Sequence, residues 1–410
     1  MKKKKITTLS ILINIIFLLI FFLIKHDKET QKEISMDSYI GKNIQQLEKF
    51  AQENELNIDK DYQYSSTKEE NLIIDQDIEK GTILKKGDTI KVIISKGETP
   101  VSIYQEYKVN ELGHIPIMMY HGIHNMKNTD TKYTGGNVDK DGYNRTTEAF
   151  RDDLEFYYQN NYRMIRLIDY INGDIDVSLG KSPIILTFDD GKENNFKVIG
   201  EINGELEIDP NCAIGILEEF KKKYPDYNVT ATFFINSGIF QQEEYNEKIV
   251  KWLINHGYDI GNHTLTHADF TKINEKEAAK EVGGMYQILN SIIPDKYVPI
   301  IAMPFGSPYR NTHPNFAIML KGIYQEISYE TVATLRVGWE AELSPFDKDF
   351  EENFLKRIRA YDNNGKDYDI EMNFKLLENN RYISDGDKNT IVILEKDKEK
   401  VNTDKKIRTY

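Results

Sequence analysis

From His114 onward, short apolar runs alternate with helical patterns, and this alternation constrains the fold more than any other feature of the 410-residue chain. Strand-length runs fall at 115–120, 184–188, 231–235 and 298–303. Segments with apolar residues three and four apart fall at 150–158, 214–223, 249–256 and 278–289. Strands separated by helices pair in parallel, so the pattern predicts an α/β architecture, a (β/α)-barrel-type domain over 114–395. Functional side chains should then gather at the carboxyl ends of the strands.

The N-terminus reads differently. Lys2 to Lys5 precede residues 6–24, a run without charge and with four polar residues. Its 19 residues would span about 28 Å as a helix, close to one hydrocarbon core. Residues 1–24 are therefore expected to be a cytoplasmic Lys cluster and a transmembrane signal-anchor, with everything beyond Lys25 outside the cell. A cleaved signal peptide is the competing reading, but no small-residue cleavage site follows the run. No cysteine lies near enough for a lipoprotein anchor. Residues 25–35 form a charged stalk, and 396–410 a charged C-terminal tail.

Net charge is −13, with seven Lys against three acidic residues in the first 35 positions, which leaves −17 for the rest. Nucleic acid is an unsuitable partner for such a surface, because phosphate binding needs clustered Lys and Arg. The lone cysteine, Cys212, excludes an intrachain disulfide and a Cys-based zinc knuckle, suits a Gram-positive-type exported protein, and reads as a buried small hydrophobe. Nothing in the sequence signals an obligate protein partner.

Residues 36–98 form a small α+β pattern. Leu47, Phe50, Ala51 and Leu56 sit at helical spacing; 71–76 and 89–95 read as strands; the Gly- and Lys-rich stretch between them reads as turns. The helix start YIGKNIQQLEKFAQEN, the stretch NLIIDQDIEKGTILKKGDTIKVIISKG and the closing Ser95-Lys96-Gly97 resemble a PASTA module. That resemblance implies a location at peptidoglycan, as a spacer or as a wall-binding unit. Residues 99–113 are expected to be a linker.

Three motifs carry chemistry. PIILTFDDG (183–191) is a buried strand ending in adjacent carboxylates, Asp189 and Asp190, one suited to binding a cation and the other to working as a base. In DIGNHTLTH (259–267), His263 and His267 are four apart, so a helical or turn backbone puts both imidazoles on one side. With one Asp they make three protein ligands and leave an open position, the layout of a catalytic metal site. AMPFGSP (302–308) is a strand running into a Gly/Pro loop that can aim a backbone N–H at an oxyanion.

In this order the motifs resemble those of the polysaccharide deacetylase family, carbohydrate esterase family 4, and ATFFINSGIF (231–240) and LINHGYDIGNHTLTH (253–267) match the connecting elements. The resemblance implies Asp189 as general base, Asp190, His263 and His267 as ligands of one divalent metal, and the Phe305 backbone as oxyanion donor. Zinc is the first choice of metal; Co, Ni or Fe also suit two imidazoles and a carboxylate. The implied activity is N-deacetylation of an N-acetylglucosamine-containing cell-wall glycan, peptidoglycan first and poly-N-acetylglucosamine second. A catalytically impaired wall-binding protein and an O-acetyl esterase of a xylan-like glycan are the alternatives.

Two features depart from the family pattern. No Leu-x-His follows His313, and Ala302 stands where an Arg often pairs with the catalytic Asp. Arg336 or Arg310 is expected to substitute. Of the remaining histidines, His121 ends the strand IPIMMYHGI, as in the branch of the family with permuted motifs, and is the candidate general acid. Trp339 and Tyr309 are candidate sugar platforms and Arg336 a further candidate substrate contact; Tyr120 reads as core.

Overall fold

The computed structural model describes residues 33–410. The expected signal-anchor and most of the stalk lie outside the described residues; among those described, no helix is long and apolar enough to cross a membrane. The chain divides into two compact units between Thr99 and Pro100.

In the first unit, β1 (Ile34–Ser35), α1 (Ile44–Glu53), β2 (Asn57–Gln63), β3 (Ile73–Gln76), β4 (Ile83–Leu84) and β5 (Thr89–Ser95) follow in order. Asn43 caps α1 by accepting from the Gln45 N–H, and Ile44, Leu47 and Ala51 give the helix its buried stripe. They pack on Ile90, Val92 and Ile94, the alternate positions of β5. β5 is the centre of a three-stranded sheet, parallel to β2 and antiparallel to β3. β2 carries Asp59, Lys60 and Asp61, and its alternation is too polar to read as a strand.

The second unit begins with α2 (Val101–Tyr107), inside the stretch expected to be a linker. Tyr104, Val109 and Leu112 are buried there. The carboxylate of buried Glu111 accepts hydrogen bonds from the Val392 N–H (2.7 Å) and Tyr382 Oη (2.9 Å). The segment is thus part of the unit's core. The expected charged tail is structured as well.

The sheet strands are β6 (Ile117–Tyr120), β7 (Tyr162–Met164), β8 (Ser182–Phe188), β9 (Thr232–Ile235), β10 (Asp259–Asn262), β11 (Ile300–Ala302), β12 (Ala333–Leu335) and β13 (Ile358–Arg359). Their order is β12-β11-β10-β9-β8-β6-β13, with β7 also on β8, and every pairing is parallel. Helices α3 (Thr147–Gln159), α4 (Ala213–Lys223), α5 (Asn246–Asn255), α6 (Glu275–Ile292) and α7 (Ile370–Leu377) accompany it. Beyond them, β14 (Thr390–Ile393) pairs in parallel with β15 (Lys406–Thr409), which lies in the C-terminal tail.

The parallel sheet expected of a (β/α)-barrel-type domain is present, curled into a half-barrel. Among the described residues, the strand pairing between its two ends is an isolated parallel bridge between Leu335 and Leu355, just ahead of β13. Two backbone hydrogen bonds make that bridge, from the Arg336 N–H to the Leu355 carbonyl (2.8 Å) and from the Leu355 N–H to the Thr334 carbonyl (2.9 Å), too few for a full seam. Along β8, Ile184, Leu186 and Phe188 pack with α3 to α6 in the larger core. Ile185 takes the opposite face, with Ile117, Phe234, Ile300 and Leu335.

Candidate metal centre and active site

The alternation of β8 decides where its carboxylates go. Thr187 shares the face of Ile185, and its hydroxyl donates to the Met118 carbonyl (2.7 Å). Asp189 is next in that phase and is buried at 1 % exposure. There it meets Arg357, itself fully buried. Nη1 donates to Asp189 Oδ1 (2.8 Å) and Nη2 to Oδ2 (2.7 Å), a bidentate pair. Nη1 also donates to Thr187 Oγ1 (3.1 Å), and Nε to the Arg336 carbonyl (2.8 Å). Burial works against ionising Asp189, but Arg357, His263 and His121 together outweigh it and hold the carboxyl below the usual range.

Arg357 therefore fills the place expected of Arg336 or Arg310. The Arg336 guanidinium lies over the rings of Phe354 (4.5 Å) and Trp339 (5.4 Å), and Arg310 is exposed. The backbones at the seam approach closely: a Cβ on Gly338 would lie 2.4 Å from the Arg357 nitrogen and 2.5 Å from its oxygen.

Asp190 leaves the strand phase. Its φ is 76°, and Gly191 follows at 58°. These left-handed residues turn the chain so that neighbouring carboxylates face different partners. Asp190 Oδ1 lies 3.1 Å from His263 Nε2 and 3.4 Å from His267 Nε2, and Oδ2 lies 3.2 Å from Lys192 Nζ. Burial raises the Asp190 carboxyl, but the two imidazoles overcome this and hold it far below the usual range.

His263 and His267 sit on an irregular loop, not a helix. Thr264 and His267 have φ of 62° and 60°. Such conformations persist only where surroundings over-determine them. Here Asn262 Oδ1 accepts from the Thr264 N–H (2.7 Å), while buried Glu281 of α6 accepts from the Thr266 N–H (2.8 Å) and Oγ1 (2.7 Å). The imidazole centroids end 4.8 Å apart. His263 Nδ1–H donates to the Ala302 carbonyl (2.8 Å), which presents Nε2 to the centre. One ligand atom each from Asp190, His263 and His267 lie within 4.8 Å of one another. Two imidazoles and a carboxylate fit a divalent ion.

His121 follows β6 directly. Its ring stands edge-on to Tyr143, with centroids 5.0 Å apart, and its carbonyl accepts from Asn195 Nδ2 (2.6 Å). Its Nδ1 is buried without a hydrogen-bond partner among the described residues. Burial lowers the imidazole to about 4, against the pull of Asp189 and Asp190. Phe305 has a left-handed backbone (φ 58°), and its ring, 57 % exposed, stands edge-on to His267 with centroids 4.6 Å apart. Trp339 and Tyr309 are exposed. Tyr120 is core and bonds Tyr157 and Asp153. Cys212 is buried and caps α4 through its sulfur.

Sequence reasoning missed Arg357, Glu281, Gly338 and Lys192. Only Lys192 carried a signal, by following the Asp-Asp-Gly turn directly.

A family model described as polysaccharide deacetylase matches residues 176–318, and a PASTA domain model matches 34–96. A Bacillus cereus protein named peptidoglycan-N-acetylglucosamine deacetylase is 33 % identical over 168 residues, 38 % of this chain and 52 % of that protein. The chain thus spans about half the length of that relative. Among solved structures, a Streptococcus pyogenes deacetylase in complex with acetate is 18 % identical, with a TM-score of 0.44, over 61 % of this chain and 93 % of that one. A de-N-acetylase from Aggregatibacter actinomycetemcomitans is 11 % identical, with a TM-score of 0.39, over 60 % and 94 %.

Proposed function

From a chain that carries a polysaccharide deacetylase domain behind a PASTA domain, we propose a metal-dependent N-deacetylase of N-acetylglucosamine-containing cell-wall glycan, peptidoglycan first. The convergence of Asp190, His263 and His267 beside the buried Asp189 carries this reading. The PASTA domain and the relative named for peptidoglycan deacetylation favour a wall substrate. With residues 6–24 as the anchor, the enzyme would be held at the membrane with both domains on the wall side.

A divalent ion held by Asp190, His263 and His267, zinc first, would supply Lewis acidity towards the acetamide carbonyl and acidify a water. Asp189 is the general base: it accepts the proton of the attacking water, while Arg357 fixes the orientation of its carboxylate. The Phe305 N–H donates to the oxyanion as the carbonyl carbon becomes tetrahedral. His121 is the proton donor to the leaving amine. Its lowered pKa leaves the resting ring neutral, so it must first gain the proton that it delivers. Trp339 and Tyr309 offer exposed ring faces to pyranose C–H groups, with Arg336 held beside Trp339.

Acetate release by the full chain from peptidoglycan, N-acetylglucosamine oligomers and acetylated xylan tests this. Release from peptidoglycan is expected, and from xylan none. Release confined to xylan would make the protein an O-acetyl esterase, and zinc binding without acetate from any substrate would make it a wall binder. His121→Ala should lose activity about 100-fold with zinc retained; near-normal turnover would remove the acid role.

A further inference from the structure

The two oxygens of Asp190 face two different cation sites. Oδ1 faces the histidines; Oδ2 is taken by the ammonium of Lys192, 3.2 Å away. Lys192 is held at both ends. Its N–H donates to Asn195 Oδ1 (3.0 Å), and Nζ also donates to Asn144 Oδ1 (3.3 Å). Asn144 is fixed in turn, because its N–H and Nδ2 both donate to Asp139 Oδ2 (2.8 Å each) and its Oδ1 also accepts from the Gly122 N–H (3.0 Å). Asp139 further accepts from the Asp141 and Tyr143 N–H groups. A braced arm, Asp139–Asn144–Lys192, thus delivers one positive charge to a metal-ligating carboxylate.

We propose that Lys192 is a positioning residue that acts as a resident counter-cation of the metal centre and lowers its affinity for a divalent ion. This rests on the metal-centre reading above. The ammonium and the ion draw on the same carboxylate and repel one another across a few ångströms of partly buried protein, where charges are weakly screened. The arm resists withdrawal of the ammonium, so the repulsion persists when the site is filled. In the empty site the same ammonium partly neutralises Asp190. Lys192 thereby makes the ion easier to lose without being one of its ligands.

The test is zinc titration, against a competing chelator, of the metal-stripped full chain in detergent. Lys192→Met and Lys192→Gln should bind zinc at least about tenfold more tightly than the parent, and Lys192→Arg should stay near it. The metal-stripped Lys192→Met protein should also melt at a lower temperature than the metal-stripped parent. Equal or weaker zinc affinity in both neutral variants would overturn the proposal while the metal centre stands. A parent chain that takes up no zinc would overturn both.

Discussion

The two flanks of the cleft are built on different principles. On one flank, Asp190, His263 and His267 come from two short motifs whose loops carry their own geometry in left-handed residues and nearby hydrogen bonds. On the other, Asp189 depends on Arg357, 168 positions away in sequence, delivered by a two-residue strand at the seam. The first flank draws on shorter sequence separations, with its loop held by Glu281 of α6 and His263 oriented by the Ala302 carbonyl. The second exists only when the sheet has curled far enough to bring its ends together.

Substitutions can break that contrast. Asp190→Ala should abolish zinc uptake and lower acetate release by about 10³-fold or more. Asp189→Asn should lower activity by about 10²–10⁴-fold and keep zinc; loss of zinc from this variant would show that the flanks are not separable. Arg357→Met strands a buried carboxylate and should cost about 3–5 kcal/mol in chemical denaturation. Gly338→Ala, which pushes a Cβ into the Arg357 backbone, should shift in the same direction without removing a charge.

A smaller effect is expected away from the cleft. Burial, assisted by Asp387, raises Asp385 from 3.8 to about 6. A carboxyl whose folded pKa lies above its unfolded one binds more protons in the native state, so stability should fall as pH rises from about 4 through 6. The cost is fully present above that window. Burial also raises neighbouring Glu111, which acts in the same direction. Asp385→Asn should flatten the decline between pH 4.5 and 7, read from denaturation midpoints. The smallest expected effect is at α6, whose capping box joins Asn274 and Glu277. Asn274→Ala should cost about 1 kcal/mol, with little change in zinc affinity because Glu281 lies two turns further on.

The same contrast governs how much could be read from the sequence. Strands β6, β8, β9 and β11 and helices α3 to α6 were legible because their apolar periodicity spans whole elements, as were the motif carboxylates and imidazoles; the short strands β7 and β10 show no such period and were not read as strands. The HTLTH pair was placed on a helix or turn by spacing alone. Its real conformation depends on Glu281, which no local pattern links to it. Arg357 was illegible because β13 is too short to show a period and its partner is set by topology. The linker misled because Glu111 and Lys108 look like solvent-facing charge, whereas Glu111 is satisfied by residues some 270–280 positions later in the chain.

The seam also sets a schedule. Synthesis delivers His121 first, then both carboxylates, then the two imidazoles, and Arg357 only after Gly338 and Leu355 have been added. A nascent chain reaching residue 318, the end of the family match, already holds all three prospective metal ligands. Asp189 still lacks the guanidinium that pairs with it in the folded protein. On the deacetylase reading proposed above, the pairing of Asp189 with Arg357 would then be one of the last events of biogenesis, when the ends of the sheet come together.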